Sequence, residues 1–279
     1  MNVKAQNNFL TIIKPSRGWI SINFKELWQY KGLLYFLIWR DIKVRYKQTV
    51  IGVAWVVFQP LLTMVVFSVL FGQLAKLPSE GIPYPIFTFT ALLPWQLFAY
   101  AISQSADSLV ANKQLITKIY FPRLIIPISA ILSGLLDFGV SFLILIGLMF
   151  YYQIFPSWAI LTLPFFVVLL IATAFSVGLW LSALNVRYRD VRYAIPFLIQ
   201  LWFFISPVAY STSIIPEKWQ FIFGINPMVG VIEGFRWALL GKEGVSFPLL
   251  IISTAIVFIF LLIGLFYFRR MEKTFADLI

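Results

Sequence analysis

"RDIKVRYKQTVIGVAWVVFQPLLTMVVFSVLFGQLA", residues 40–75, places Arg40, Lys43, Arg45 and Lys47 directly against a run, Gln48 to Ala75, that carries no charge. A helix that crosses a bilayer needs about 20 predominantly apolar residues, and this run supplies them. Cations that flank such a helix hold it in one orientation, because they favour the inner membrane face. The junction therefore reads as the edge of a membrane, and the rest of the chain can be tested against that reading.

The composition agrees. Of 279 residues, 61% are hydrophobic and 12% charged, whereas soluble domains average about 45–50% and about 25%. Lys and Arg number 22 against 11 Asp and Glu. His and Cys are absent, which excludes disulfides, thiolate or imidazole metal sites, Cys/His nucleophiles and histidine proton relays. No D-x-D pair occurs, and the carboxylates are scattered, so no metal site is expected. "GFRWALLGKE" at 234–243 is the nearest approach to a phosphate-binding loop. It lacks the glycine spacing and the Ser/Thr after the lysine, so the chain is expected to hydrolyse no ATP itself. The first 19 residues are polar, without the apolar core of a cleavable signal peptide.

Charge-free windows predict six spans, at about 51–74, 85–106, 124–151, 159–184, 194–210 and 247–268. The apolar stretch between Lys218 and Glu233 is too short to cross and is broken by Gly224, Pro227 and Gly230. It reads as short re-entrant helices, which are tolerated where protein covers their backbone. Six spans put both termini on one side. With that side cytoplasmic, the inner segments hold all nine cations from Lys4 to Lys47, Lys113, Lys118 and Arg123, Arg187, Arg189 and Arg192, and Arg269, Arg270 and Lys273. Only Lys76, Lys218, Arg236 and Lys242 remain outside. This asymmetry fixes the expected orientation. It also spreads the positive charge over four separate segments, which argues against nucleic acid as the partner. The expected fold is all-α: an integral membrane protein with six transmembrane helices, a polar extension at 1–22 and a single membrane domain over 23–279.

Three inner segments stand out. On a helical wheel Tyr35, Ile38, Trp39, Ile42 and Tyr46 share one face and Arg40, Lys43 and Lys47 another, which predicts an amphipathic helix lying at the membrane surface. In "DSLVANKQLITKIYFPR", 107–123, Leu109, Ile116, Ile119 and Tyr120 share a face while Asn112, Lys113, Gln114 and Lys118 turn to water. Pro122 ends that helix, and Arg123 opens the third span. "NVRYRDVRY", 185–193, predicts a tight turn in which Asp190 pairs locally among Arg187, Arg189 and Arg192.

These segments, in order with "LLPWQLF", "NKQLITKIYFPRLIIP", "SPVAY" and "INPMVGVIEGFRWALLG", resemble the permease subunits of ABC-type polysaccharide exporters, the type-2 exporter class. The resemblance covers about residues 30–270. It implies a homodimer that moves lipid-linked O-antigen, capsule or teichoic-acid-like polymer across the bacterial cytoplasmic (inner) membrane. A separate cytoplasmic ABC ATPase subunit, in two copies, would hold the ATP and magnesium. The resemblance also implies a coupling helix around Asn112, Lys113, Gln114, Ile116, Lys118, Tyr120, Phe121, Pro122 and Arg123. Arg40, Lys43, Arg45 and Lys47 would lie on a gate helix close to the lipid head group, and residues 216–240 would form extracytoplasmic re-entrant helices.

A sugar chain alternates apolar C–H faces with hydroxyls, so a path for it favours aromatic platforms and weak, repeated contacts. The chain carries 29 Phe, 12 Tyr and 10 Trp. Trp55, Phe58, Trp95, Phe98, Trp202 and Phe203 are candidate channel-lining residues. Asp137 is a carboxylate inside a predicted span, which makes it a functional candidate, with Ser133 and Ser141 as expected hydrogen-bond partners. Two other readings compete: a type-2 exporter of drugs or small lipids, and an integral-membrane glycosyltransferase or polymer ligase. The short outer loops disfavour the first, and the scattered acids disfavour the second.

Overall fold

The computed structural model describes residues 24–47, 50–241 and 247–278, and among them it contains helices and no strand. The predicted polar extension at 1–22 lies outside the described residues. In chain order the helices are α1 (Phe24–Gln29), α2 (Lys31–Tyr46), α3 (Val50–Phe67), α4 (Tyr84–Ala111), α5 (Lys113–Lys118), α6 (Ile125–Ser133), α7 (Leu135–Tyr151), α8 (Leu163–Arg187), α9 (Val191–Ile205), α10 (Glu217–Gly224), α11 (Pro227–Leu240), α12 (Phe247–Glu272) and α13 (Phe275–Leu278). Five segments are long and apolar enough to cross a membrane: Ala54–Leu74, Tyr84–Ala111, Ile125–Tyr151, Trp158–Arg187 and Phe247–Glu272.

Helix α4 is the axis of the bundle. It packs against α3, α6, α7, α8 and α11, and α12 closes over α8. Its run from Ile86 to Trp95 is buried on every side, so it takes the all-round apolar composition of an interior helix. Helix α3 stands at the edge instead, with Trp55, Phe58, Leu62, Val65 and Leu70 exposed. It contains Pro60 and passes into a π-helical turn at Ser68–Leu74. Thr63 and Ser68 donate their hydroxyls to the carbonyls of Gln59 and Met64 within this helix.

The fifth predicted span is shorter than expected. Helix α9 has 15 residues, about 22 Å at 1.5 Å per residue, against a hydrocarbon core of about 30 Å. The cause is local. Ser206 precedes Pro207, which drives its backbone to an extended conformation (ψ 145°) and ends the helix. The chain then runs on as an irregular segment, in which Ser211 donates a hydrogen bond to Glu80 in the α3–α4 loop. Two short helices follow before the last span, as the broken apolar stretch predicts. Asn226 caps α11 by accepting from the Met228 N–H at 3.0 Å, and Gly241 ends it at φ +65°, a left-handed conformation that glycine adopts without strain.

The third span breaks into α6 and α7 at Gly134. A Cβ at this position would lie 2.6 Å from Tyr100 Cδ1 and 2.9 Å from Leu97 Cδ1, so glycine lets α4 approach the break closely. Gly134→Ala is expected to cost about 1–3 kcal/mol through overpacking, read as a lowered Tm in detergent.

Helices α2, α5 and α13 meet at one end of the bundle. Leu37 of α2, Leu109 of α4, Ile116 of α5, Phe121, Leu124, Phe268 of α12 and Phe275 of α13 form one buried cluster there. Helix α2 packs against α6, its buried anchor is Leu37, and Tyr35, Phe36, Trp39 and Val44 are exposed. Arg40 and Arg45 turn toward protein partners, because charged groups with specific acceptors outcompete the generic preference for water.

Candidate functional site

Between α3, α4, α7 and α9 lies an open cleft of about 770 Å³. Trp55, Trp95, Tyr100, Phe138 and Phe203 supply aromatic surface, and Gln59, Gln96 and Ser141 supply amide and hydroxyl groups. One wall ends at Arg45 and Asp137. Four of the seven candidate lining residues therefore meet at one cavity: Trp55, Trp95, Asp137 and Phe203. The other three lie elsewhere. Phe58 is exposed on α3, and Phe98 is fully buried. Trp202 packs on Phe98 with ring centroids 5.1 Å apart and donates its indole N–H to Asn226 Oδ1 at 2.9 Å. It faces an apolar groove on the other side of α9.

Asp137 sits in the first turn of α7, where the free N–H groups of the helix favour negative charge. Its partners are not the hydroxyls expected on its own helix. Arg45 Nη1 lies 2.5 Å from Asp137 Oδ2, and the Tyr46 hydroxyl donates to Oδ1. Both partners come from the last turns of α2, some 90 residues earlier in the chain. Arg45 also reaches Ser133 Oγ at 3.5 Å, and its guanidinium stacks over the Tyr100 ring at 4.2 Å. Burial, followed by the hydrogen bond and charge of Asp137, pushes the Tyr46 hydroxyl up to about 12. Tyr46 thus remains a proton donor at neutral pH.

Earlier on α2, Arg40 donates to Asn112 Oδ1 at 2.8 Å and pairs with Asp41 at 2.7 Å. Asn112 in turn donates to the Ser108 carbonyl at 2.8 Å, holding the α4–α5 corner. Lys43 and Lys47 are exposed on α2.

Around α5, Ile116, Phe121 and Pro122 are buried, while Lys113, Gln114 and Lys118 face outward. Ile119 and Tyr120, expected to share a face with Ile116, are 57% and 59% exposed. The helix stops at Lys118 and Ile119 is extended (φ −130°, ψ 137°), so helical periodicity no longer assigns their sides. Tyr120 donates to Glu26 of α1 at 3.3 Å. The Arg123 N–H donates to Glu272 Oε1 at 3.2 Å, and Arg269 pairs with the same carboxylate at 2.8 Å. The end of α12 is thereby tied to the α5–α6 corner. Farther along, Arg187, Arg189, Asp190 and Arg192 are exposed at the α8–α9 turn. Arg192 approaches Asp107 of α4 at 3.6 Å, an ion pair between helices where the sequence suggests one within the turn.

A second ionic group lies outside the expected sites. Arg236 of α11 is fully buried and lies 3.2 Å from Glu233. It donates to the Val208 and Tyr210 carbonyls at 3.0 and 3.2 Å and covers the Phe87 ring at 3.6 Å. Tyr84 donates to the Ala209 carbonyl between them. These three carbonyls belong to the irregular segment after α9, so Arg236 and Tyr84 satisfy backbone groups that no helix pairs. The signal in the sequence was an opposite-charge pair three residues apart in an otherwise apolar helix, and the positive-inside count passed over it.

Residues 32–240 match the family model described as ABC-2 type transporter. The chain is 33% identical over 217 residues to an O-antigen export system permease protein RfbA of Myxococcus xanthus, a match that covers 76% of this chain and 82% of that protein. An RfbA of Klebsiella pneumoniae is 32% identical over 252 residues, covering 88% and 95%. The polysialic acid transport protein KpsM of Escherichia coli is 26% identical over 246 residues, covering 85% and 92%. Five segments long and apolar enough to cross a membrane, and a family match over residues 32–240, make this chain a multi-pass membrane protein of the ABC-2 type transporter family.

Proposed function

We propose that this chain is the transmembrane subunit of an ATP-driven exporter of lipid-linked cell-surface polysaccharide, O-antigen or a capsule-like polymer, in the bacterial inner membrane. The observation that carries this reading is similarity through 88% of the chain to an O-antigen export permease, of which 95% is covered.

The cleft fits such a cargo chemically. Drawing a hydroxyl-rich chain through hydrocarbon leaves polar groups unpaired at about 2–7 kcal/mol each, so the path must be lined by protein. The exposed Trp55 ring offers a surface for sugar C–H faces, and Gln59 and Gln96 offer weak hydrogen bonds. In this reading the end with α2, α5 and α13 faces the cytoplasm, in keeping with the positive charge of its segments. A separate ATPase with bound ATP and magnesium docks there on the exposed face of α5. Two copies of this chain assemble with α3 and α9 toward each other, which would cover the apolar residues exposed on both, among them Phe58, Leu62, Phe197 and Phe204.

The test is purification of the tagged chain from its native membrane. An ATPase carrying a phosphate-binding loop is expected to co-purify, and its deletion is expected to stop the appearance of glycan at the cell surface. Glycan export that persists without any such ATPase, or glycosyl transfer by the lone chain, would overturn the proposal.

A further inference from the structure

Helix α9 borders two hollows. Phe203 faces the cleft, and Trp202 faces a separate groove of about 470 Å³. Leu198, Leu201 and Ile205 of α9 line this groove together with Leu181 of α8 and Phe260 of α12. Along α9 the lining runs from Ile195 to Ile205, about 15 Å at 1.5 Å per residue.

We propose that the groove holds one acyl chain of an anionic membrane phospholipid, whose phosphate rests at the arginines of the α8–α9 turn. The inference goes beyond the export reading and takes from it only the leaflet, the cytoplasmic one.

The chemistry of the lining selects an apolar occupant. Each polar side chain in it already has a partner. Ser176 donates to the Thr173 carbonyl at 2.8 Å, and the Trp202 indole donates to Asn226 Oδ1 at 2.9 Å. The Asn226 amide donates in turn to Ser206 Oγ at 2.9 Å. An apolar groove with its polar groups satisfied holds no ordered water and offers little to a sugar hydroxyl. Leu198, Leu201 and Ile205 are about half exposed, so the groove is open to the hydrocarbon around the bundle.

One end of the groove lies near positive charge. Arg187 closes α8 six residues after Leu181, about 9 Å along the axis. Its guanidinium lies over the Tyr188 ring at 5.3 Å, and Arg189 is exposed beside it. Arg192 is engaged with Asp107 at 3.6 Å, and Asp190 is the one carboxylate of the turn. Arg187 and Arg189 therefore leave a positive excess. Tyrosine and arginine at the end of a spanning helix suit the depth of lipid phosphates.

A second copy of the chain is the competing occupant. Phe197 and Phe204, exposed on α9, lie about 140–160° around the helix from Trp202 at 3.6 residues per turn. A copy docked on those two residues leaves the groove to lipid. The bound acyl chain then supports α9 from behind and holds Phe203 against Trp95, 5.3 Å away across the cleft.

Native mass spectrometry of the full chain tests this without ATP. The protein is released from nanodiscs of equal phosphatidylglycerol and phosphatidylethanolamine. One phospholipid per chain is expected to remain, with phosphatidylglycerol preferred about fivefold or more. Leu201→Trp fills the groove from a half-exposed position and should lower retention about tenfold. Phe197→Trp, on the opposite side of α9, should leave it unchanged. Ile205→Trp fills the groove near its other end and keeps the question decidable if Leu201→Trp fails to fold. Arg187→Gln combined with Arg189→Gln should bring the two lipids near parity without loss of total lipid. Phosphatidylglycerol returned to stripped protein should raise the Tm of the parent and not that of Leu201→Trp.

A parent that retains no lipid, or equal loss in Leu201→Trp and Phe197→Trp, overturns the site. Retention by monomers but not by dimers assigns the groove to a second copy and overturns it as well. An unchanged preference in the double Gln variant overturns the head-group assignment. Equal displacement by polyprenyl phosphate overturns the assignment to a membrane phospholipid. None of these outcomes requires the ATPase or export, so the inference and the export reading fail separately.

Discussion

Replacing Arg236 with Met is expected to abolish accumulation of the folded protein, at a cost of about 3–5 kcal/mol, the usual penalty for removing one partner of a buried pair. The substitution leaves Glu233 buried without its cation neighbour at 3.2 Å and strips the Val208 and Tyr210 carbonyls of their donor. Those carbonyls lie where Pro207 has ended α9, so no helical N–H can replace the guanidinium. Arg236→Lys should be intermediate, because one ammonium cannot span both carbonyls and the carboxylate as the fork does. Glu233→Gln should be milder, about 1–3 kcal/mol, since the amide oxygen still accepts from Arg236. Membrane abundance and Tm in detergent check the order. If the Met variant is as stable as the parent, the irregular segment is held by Tyr84 and Ser211 alone.

Ile119→Asp combined with Tyr120→Asp should leave the fold intact and remove the ATPase. Both side chains are more than half exposed, so their loss should cost only about 1 kcal/mol, chiefly the hydrogen bond from Tyr120 to Glu26. A docking face, by contrast, concentrates its energy in a few aromatic and aliphatic contacts worth about 2 kcal/mol or more each. Two such losses, compounded by like charge in an apolar contact, predict a fall in affinity of about a thousandfold. Co-purification measured beside Tm separates these effects. A double variant that retains its ATPase places the docking face away from α5, and a variant that loses Tm as well shows that the patch belongs to the fold.

The spans were legible because the bilayer imposes a single demand, a charge-free stretch of sufficient length, and residues 51–74, 85–106, 124–151, 159–184 and 247–268 meet it. Asp137 could be singled out for the same reason, as a charge where hydrocarbon penalises one. Its partners could not be named. Arg45 and Tyr46 are some 90 residues away in sequence, and the packing of α2 on α6 is what brings them within reach. The separation of Ile119 and Tyr120 from the face of Ile116 is not legible in the sequence, because a wheel assumes that the helix continues and α5 ends at Lys118. Phe98 and Trp202 were grouped with Trp95 and Phe203 because adjacent aromatics look alike in sequence. Helix rotation then placed the first in the core and the second on the far side of α9.

The amino-acid sequence by itself determined that this chain lives in lipid, where its long apolar stretches fall, which segments carry the positive charge and that no thiol or imidazole is present, because each of these is read from local composition. Tertiary structure alone decided which cation meets which carboxylate, which aromatics share a cavity and which carbonyls need a donor. Those outcomes depend on how helices distant in the chain rotate and lean on one another, and a side chain a few ångströms long finds its partner only after that packing is complete.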